Sequence, residues 1–163
     1  MSNKWEISEA FFRNLVGQDE FDSLESPIEL MFLIALKYQL SQSTLSNNYC
    51  VTVTPQHCFD EINCRVDFYI FVEALSGPWD YFDYCVVECD GREFHHASWS
   101  QIERDRLRDQ QIESIGHGCK VFRFPGTQIV NDPVGCTMAV IYYFLERAAE
   151  AAGRACTVGE AFA

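Results

Sequence analysis

The chain has 163 residues, 48% hydrophobic and 14% aromatic, which predicts a single soluble domain, residues 1–163, with a substantial core. Its net charge of −12 argues against non-specific nucleic-acid binding, because that binding depends on basic side chains that displace counterions from phosphates. The longest apolar stretch, Ile28–Leu36, contains Glu29 and is too short to span a bilayer, and no secretory segment opens the chain. We therefore expect a cytoplasmic protein with no membrane partner.

The N-terminal part predicts two helices. Apolar residues recur at helical spacing in Ile7–Val16, and Gly17 ends that pattern. Ser26-Pro27-Ile28-Glu29 then places serine at the N-cap, proline at the first helical position and glutamate at the third, before an apolar run to Leu40. Ser41–Asn48 is polar and aperiodic, which predicts a linker.

The pattern changes to strands after Cys50. Alternating or continuous apolar residues predict strands at 50–54, 64–74 and 84–89, joined as a meander with the third strand central. A polar helix at 98–115, a strand at 119–124 and a helix at 132–150 follow, and 151–163 is expected to be a frayed tail. Together, these helices and strands predict an α/β domain around a mixed sheet, with a core at about 26–150.

The eight cysteines are expected to be reduced thiols, because the chain has neither an export signal nor the small size that requires disulfides. Most lie beside aliphatic or aromatic residues, where free cysteine packs as a small apolar side chain. A zinc site is the alternative, for which the nearest candidates are His57-Cys58 with Cys64, or Cys85 with Cys89.

The charge is unevenly distributed. Residues 1–90 carry 15 acidic and 4 basic side chains, whereas residues 91–163 carry 9 and 8. The overall negative charge does not exclude a local basic face. Such a face could be formed by Arg92, Arg104, Arg106, Arg108, Lys120 and Arg123, with His95, His96 and His117.

Two carboxylates at strand ends are the strongest chemical signal. Asp67 lies inside an apolar strand and Glu88 lies at the end of the next, so a hairpin would bring them together. Like charges at close range favour a compensating cation, and Mg²⁺ takes carboxylate oxygens, with Asp90 and the Cys89 carbonyl as further donors. The alternative is that Asp67 faces solvent and Asp90-Gly91 is only a turn.

A longer series of residues resembles the bacterial PD-(D/E)XK endonuclease-like proteins. The similarity is closest to the branch that is similar to very-short-patch mismatch repair endonucleases, and it covers roughly residues 26–135. The segments that carry it are Ser26–Glu29, Arg65–Phe68, Glu88–His95, Gln101, Arg104–Asp109, Gly116 and Val121–Phe124.

The resemblance implies an αβββαβ restriction-endonuclease-like core and metal-dependent hydrolysis of phosphodiester bonds. It implies Asp67 and Glu88 as catalytic metal ligands, Mg²⁺ or Mn²⁺ as the cofactor, and DNA as the partner, with RNA not excluded. Glu29 would be the helix-borne acid that completes the metal site, although the capping box explains a glutamate at that position equally well.

The chain departs from the family pattern at Asp90, where the broader motif has lysine. A carboxylate cannot supply the positive charge that stabilises the transition state of the reaction. In the branch that this chain resembles, Asp-Gly is usual here and a histidine follows, so His95 is the candidate for proton transfer or transition-state stabilisation. The alternative is that His95 and His96 are exposed loop residues.

The following helix has a candidate substrate face. Gln101, Arg104, Asp105 and Arg108 recur at i, i+3, i+4 and i+7. Gln101 could orient a water or the scissile phosphate, and Arg104 and Arg108 could bind nucleic-acid phosphates. The same pattern suits a solvated helix with internal ion pairs, which is our expectation for Arg106 and Asp109.

Arg123 is the third candidate for nucleic-acid binding. It alternates with Phe122 and Phe124 in a predicted strand, so it points away from them, into the site or onto the surface.

Three functions follow as hypotheses. The leading one is a metal-dependent DNA endonuclease, with a role in phage defence, mobile-element biology or repair. The second is an inactive nuclease-fold subunit that binds nucleic acid or a protein partner supplying positive charge or targeting, and the third is a zinc-supported interaction module. A double-strand cut by a domain with one site would favour a homodimer or a larger assembly.

Overall fold

The protein is an α/β domain with a four-stranded mixed sheet flanked by helices, as the sequence pattern predicts. The structure, a computed structural model, describes residues 4–75, 81–90, 99–115 and 118–161, with side chains omitted at 4–8, 99–102, 104 and 154–161. The helices are α1 (Lys4–Val16), α2 (Gln18–Ser23), α3 (Pro27–Gln42), α4 (Leu45–Asn48), α5 (Trp99–Glu113), α6 (Gly126–Asn131) and α7 (Pro133–Ala161). The strands are β1 (Tyr49–Phe59), β2 (Cys64–Ala74), β3 (Phe82–Asp90) and β4 (Lys120–Pro125), with a 3₁₀ turn at Asp60–Ile62.

The sheet has the strand order β1-β2-β3-β4. The first three strands form an antiparallel meander, and β4 pairs parallel to β3. Parallel neighbours need a crossover connection, which α5 provides. Cys85, Val86 and Val87 have no exposed surface, which confirms the prediction that β3 is a central strand covered on both faces.

Each face of the sheet packs against its own apolar cluster. On one face, Phe68 and Val87 pack with Phe32 of α3 and Phe144 of α7 in the larger cluster. On the other face, the smaller cluster is formed by Phe59, Cys64, Val66, Val86, Ile112 of α5 and Cys119. Because side chains alternate along a strand, Glu88 lies on the α5 face with Val86.

The start of α3 follows the predicted capping pattern. The Ser26 hydroxyl accepts the Glu29 N–H at 3.2 Å, and Pro27 is the first helical residue. The buried residues Phe32, Leu33 and Leu36 fix α3 against the sheet. The Gln56 amide of β1 donates to Glu29 Oε2, so the N-terminus of α3 lies beside the second half of β1.

Several predicted boundaries were wrong. Strand β1 continues past Pro55 to Phe59, because β1 is an edge strand and an edge tolerates a missing N–H donor. The predicted linker Ser41–Asn48 contains the end of α3 and the short helix α4, which is anchored by the fully buried Leu45.

The C-terminal expectation was also wrong, because α7 runs to Ala161 rather than fraying after Glu150. The short helices α2 and α6 had no counterpart among the predicted elements. Within the described part of the chain, no helix combines the length and apolarity needed to cross a membrane.

Candidate functional site

The β2–β3 hairpin brings Asp67 and Glu88 together, as the sequence argument predicts. The last recorded pair in this ladder is Phe68 with Val87, so Asp67 and Glu88 are the next positions along the two strands. Asp67 Oδ2 accepts the backbone N–H of Cys89 at 2.7 Å, which fixes the carboxylate against the end of β3. The two acids therefore lie next to each other at one end of the β2–β3 pair.

Both carboxyl groups have raised pKa values. The pKa of Glu88 is raised to about 7, chiefly by burial; Arg108 opposes this rise, and the charge of Asp67 contributes to it. Burial also raises the pKa of Asp67, and the Glu29 and Asp90 carboxylates add to this, while the Cys89 N–H opposes it. Perturbed carboxyl groups that share a site are typical of functional centres, although structural networks produce them too.

Arg108 of α5 covers the buried Glu88. Its Nη2 lies 2.7 Å from Glu88 Oε1, and the same nitrogen donates to the backbone carbonyl of Arg65. Its Nε lies 3.1 Å from Cys64 Sγ. The Arg108 side chain is 31% exposed and that of Glu88 is 6% exposed, so the guanidinium lies between the carboxylate and solvent.

Arg123 of β4 forms a second ion-pair group beside this one. It is the parallel neighbour of Glu88, and its Nε and Nη2 bind both oxygens of Asp109 at 2.9 and 2.6 Å. Its Nη1 lies 3.3 Å from Asp90 Oδ1. Arg123 points away from Phe122 and Phe124, as predicted, but the expectation that Asp109 is a solvated residue was wrong, because it reaches across from α5 to this arginine.

Glu29 makes the contacts of a capping residue. Its Oε1 accepts the Ser26 hydroxyl at 2.7 Å, and its Oε2 accepts the Glu25 N–H at 2.9 Å and the Gln56 amide at 2.8 Å. Its charge nevertheless raises the pKa of Asp67, so it contributes to the same negative potential. Its role as a metal ligand remains a prediction.

The side chains of three further candidates, His95, Gln101 and Arg104, are not among those that the structure describes. His95 falls outside the described residues, as do His96 and Gly116. Gln101 and Arg104 belong to α5, but their side chains are not described. Their proposed roles in proton transfer, water orientation and phosphate binding remain predictions.

Sequence reasoning missed two features that shape the site. Gln56 has a left-handed backbone conformation, φ 49°, and its amide joins Glu29 to β1 opposite the Asp67 region. Cys64 and the Arg65 carbonyl hold the Arg108 guanidinium. Neither feature has a local sequence signal, since Gln56 follows a proline within a strand and the Arg108 contacts span more than 40 positions.

The donor set suits a hard divalent cation. Asp67 and Glu88 offer carboxylate oxygens in a region of excess negative charge, and Mg²⁺ commonly uses one or two carboxylates together with waters and substrate phosphates. Across residues 4–75, 81–90, 99–115 and 118–161, no three His, Cys, Asp or Glu side chains converge to hold a metal ion by themselves. The seven described cysteines are free thiols.

Comparison of the chain with models of protein families, with curated proteins and with solved structures gave no match.

Proposed function

We propose that the chain is a metal-dependent phosphodiesterase that hydrolyses DNA, built on a restriction-endonuclease-like αβββαβ core. The observation that carries the proposal is the adjacent placement of Asp67 and Glu88 on paired strands, with raised pKa values. The order of α3, the three antiparallel strands, α5 and the parallel β4 is compatible with that core.

Asp67 and Glu88 would hold Mg²⁺ or Mn²⁺, with Asp90 and Glu29 adding negative potential. The bound ion would supply charge neutralisation at the phosphate and a water of lowered pKa. The backbone N–H of Cys89 orients Asp67, and the hairpin keeps Glu88 beside it. The protein's part is thus to fix two oxygen donors side by side on the two interior strands of the sheet.

Positive charge must come from residues other than position 90, where the chain has aspartate. Arg108 and Arg123 both lie at the site, and of the two Arg108 is the less firmly held, so it is the one proposed to bind phosphate oxygens. In this proposal, His95 exchanges the proton and Gln101 orients the water or the phosphate.

The proposal is tested with purified full-length protein and plasmid, linear double-stranded DNA, single-stranded DNA and RNA. Each substrate is incubated with Mg²⁺, Mn²⁺ or EDTA, beside Asp67→Ala and Glu88→Ala. We expect DNA cleavage that requires the metal and is lost in both variants. Absence of cleavage on every substrate, together with no metal-induced thermal shift, would overturn the proposal.

A second candidate is a nuclease-fold subunit that binds nucleic acid or a partner without hydrolysis. The observation that favours it is that Glu88 and Asp90 are already paired with Arg108 and Arg123. An arginine can neutralise a former metal ligand permanently. DNA binding that is unaffected by metal and by Glu88→Gln would support this candidate over the enzyme.

A further inference from the structure

Arg108 holds the Glu88 carboxylate with fewer hydrogen bonds than the neighbouring Arg123 makes to its own carboxylate partners. The guanidinium is partly exposed, and it holds the buried carboxylate through a single nitrogen, Nη2. Within the part of the chain that the structure describes, its other hydrogen bonds go to the Arg65 carbonyl and the Cys64 sulfur. Arg123, in contrast, is held by two carboxylates, one of them through two nitrogens.

We infer that Arg108 hinders the binding of divalent cations to Asp67 and Glu88 in the free protein, and that it moves to a phosphate when nucleic acid binds. The inference rests on the proposed function, since it assigns metal binding to Glu88. A cation would compete for the Glu88 carboxylate with the guanidinium, which already holds Oε1, so each weakens the binding of the other. A phosphate offers the guanidinium a bidentate partner in exchange.

Metal binding and nucleic-acid binding should therefore strengthen each other. Nucleic acid that draws Arg108 away from Glu88 leaves a carboxylate available to the metal, and metal at Glu88 leaves Arg108 available to the phosphate. Such coupling is reciprocal by thermodynamic necessity, and coupling factors of roughly 5- to 150-fold are usual. Arg108 is thus a positioning residue that links two ligands, in addition to its predicted contact with phosphate.

Three variants separate this coupling from simple loss of charge. Arg108→Gln removes the competing cation, while Arg108→Lys keeps a cation but loses the planar fork. Arg147→Gln is the matched control, because Arg147 pairs with the buried Asp83 on the same strand β3, and its side chain is 41% exposed.

The experiment titrates Mn²⁺ into the full-length protein by calorimetry, with and without a short phosphorothioate DNA duplex that resists hydrolysis. In the wild type and Arg147→Gln, the duplex should tighten Mn²⁺ binding by about tenfold. Arg108→Gln should bind Mn²⁺ more tightly than the wild type without duplex, by a similar factor, and the duplex should add little. Arg108→Lys should keep part of the coupling.

The possible failures are distinguishable. Equal coupling in the wild type and Arg108→Gln would overturn the inference while leaving a metal site in place. Unchanged Mn²⁺ affinity in Arg108→Gln without duplex would also overturn it. Absence of Mn²⁺ binding in all four proteins, with and without duplex, would overturn the proposed function together with the inference.

Discussion

The two ends of strand β3 carry buried acids in contrasting surroundings. Asp83 at the start is 6% exposed and Glu88 near the end is 5% exposed, and each pairs with an arginine from a helix. Asp83 accepts hydrogen bonds from the Tyr84 N–H and the Tyr81 hydroxyl. Glu88 instead feels the repulsion of Asp67 and Asp90.

The contrast separates a structural ion pair from a candidate active site. At the Asp83 end, among the described residues, the carboxylate is paired with the Arg147 guanidinium and with neutral donors, and Arg147 also packs over the Tyr143 ring. At the Glu88 end, several carboxylates share a small volume, which is costly unless a cation joins them. The excess of negative charge, rather than burial or ion pairing alone, is the feature on which the proposed function rests.

The largest expected effect is on catalysis. Glu88→Gln should lower the metal-dependent cleavage rate by at least about 100-fold, because it removes an ionised oxygen donor from the site. Asp83→Asn is similar in chemistry and lies on the same strand, and it should leave the rate per folded molecule unchanged. Rates are measured with plasmid DNA after the folded fraction of each variant has been determined by circular dichroism.

The second effect is a pH dependence of stability. Burial raises the Glu88 pKa from 4.5 to about 7, so the folded protein holds this proton more tightly than the unfolded chain does. The resulting stabilisation is complete below pH 4.5 and is lost as the pH rises through 7. Glu88→Gln cannot lose a proton. As the pH rises from 4.5 through 7, the free energy of unfolding of this variant should therefore increase relative to that of the wild type, by up to about 3 kcal/mol.

Urea denaturation without divalent metal, at several pH values, measures this difference. Glu61→Gln, which removes an exposed carboxylate, is the control for the substitution itself. A stability difference between Glu88→Gln and the wild type that does not vary with pH would contradict the environment described for Glu88.

The third effect concerns the structural end of β3. Asp83→Asn should lower the free energy of unfolding by about 1–2 kcal/mol, because it weakens the bond to Arg147 but keeps an acceptor for the Tyr84 N–H. The loss is limited by the hydration of the partly exposed arginine. Chemical denaturation measures it, and added Mn²⁺ should not alter it. A loss that disappears with Mn²⁺ would show that the two ends are not independent.

The smallest expected effect is at Glu29. Glu29→Gln should cost about 1 kcal/mol of stability, because it weakens the cap at the start of α3. Glu29→Gln should lose less Mn²⁺ affinity than Asp67→Asn, since both Glu29 oxygens already accept bonds from the protein and only its charge acts on the site. Calorimetry beside Asp67→Asn checks this, and an equal loss of affinity in both variants would make Glu29 a metal ligand.

The part of the site that could be predicted follows from local rules. Strand periodicity and a short connection determine the register of a hairpin, so the closeness of Asp67 and Glu88 could be predicted from spacing. The capping contacts of Ser26 and Glu29 follow from a four-residue pattern.

The remainder depends on contacts between distant segments. The pairing of Arg108 with Glu88 is set by the way α5 lies across the sheet after the crossover, which no local pattern encodes. The helical spacing does place Arg108 toward the site, but it does not distinguish a phosphate partner from a carboxylate partner. The same holds for Asp109, whose bond to Arg123 joins α5 to β4.

The most direct test is the titration of Mn²⁺ into the wild type, Asp67→Asn, Glu88→Gln and Asp83→Asn, followed by calorimetry in the presence of the phosphorothioate duplex. We expect one saturable site in the wild type and in Asp83→Asn, and its loss in Asp67→Asn and Glu88→Gln. Equal binding by all four proteins, or binding by none, would contradict the assignment of the metal site to the Glu88 end of β3.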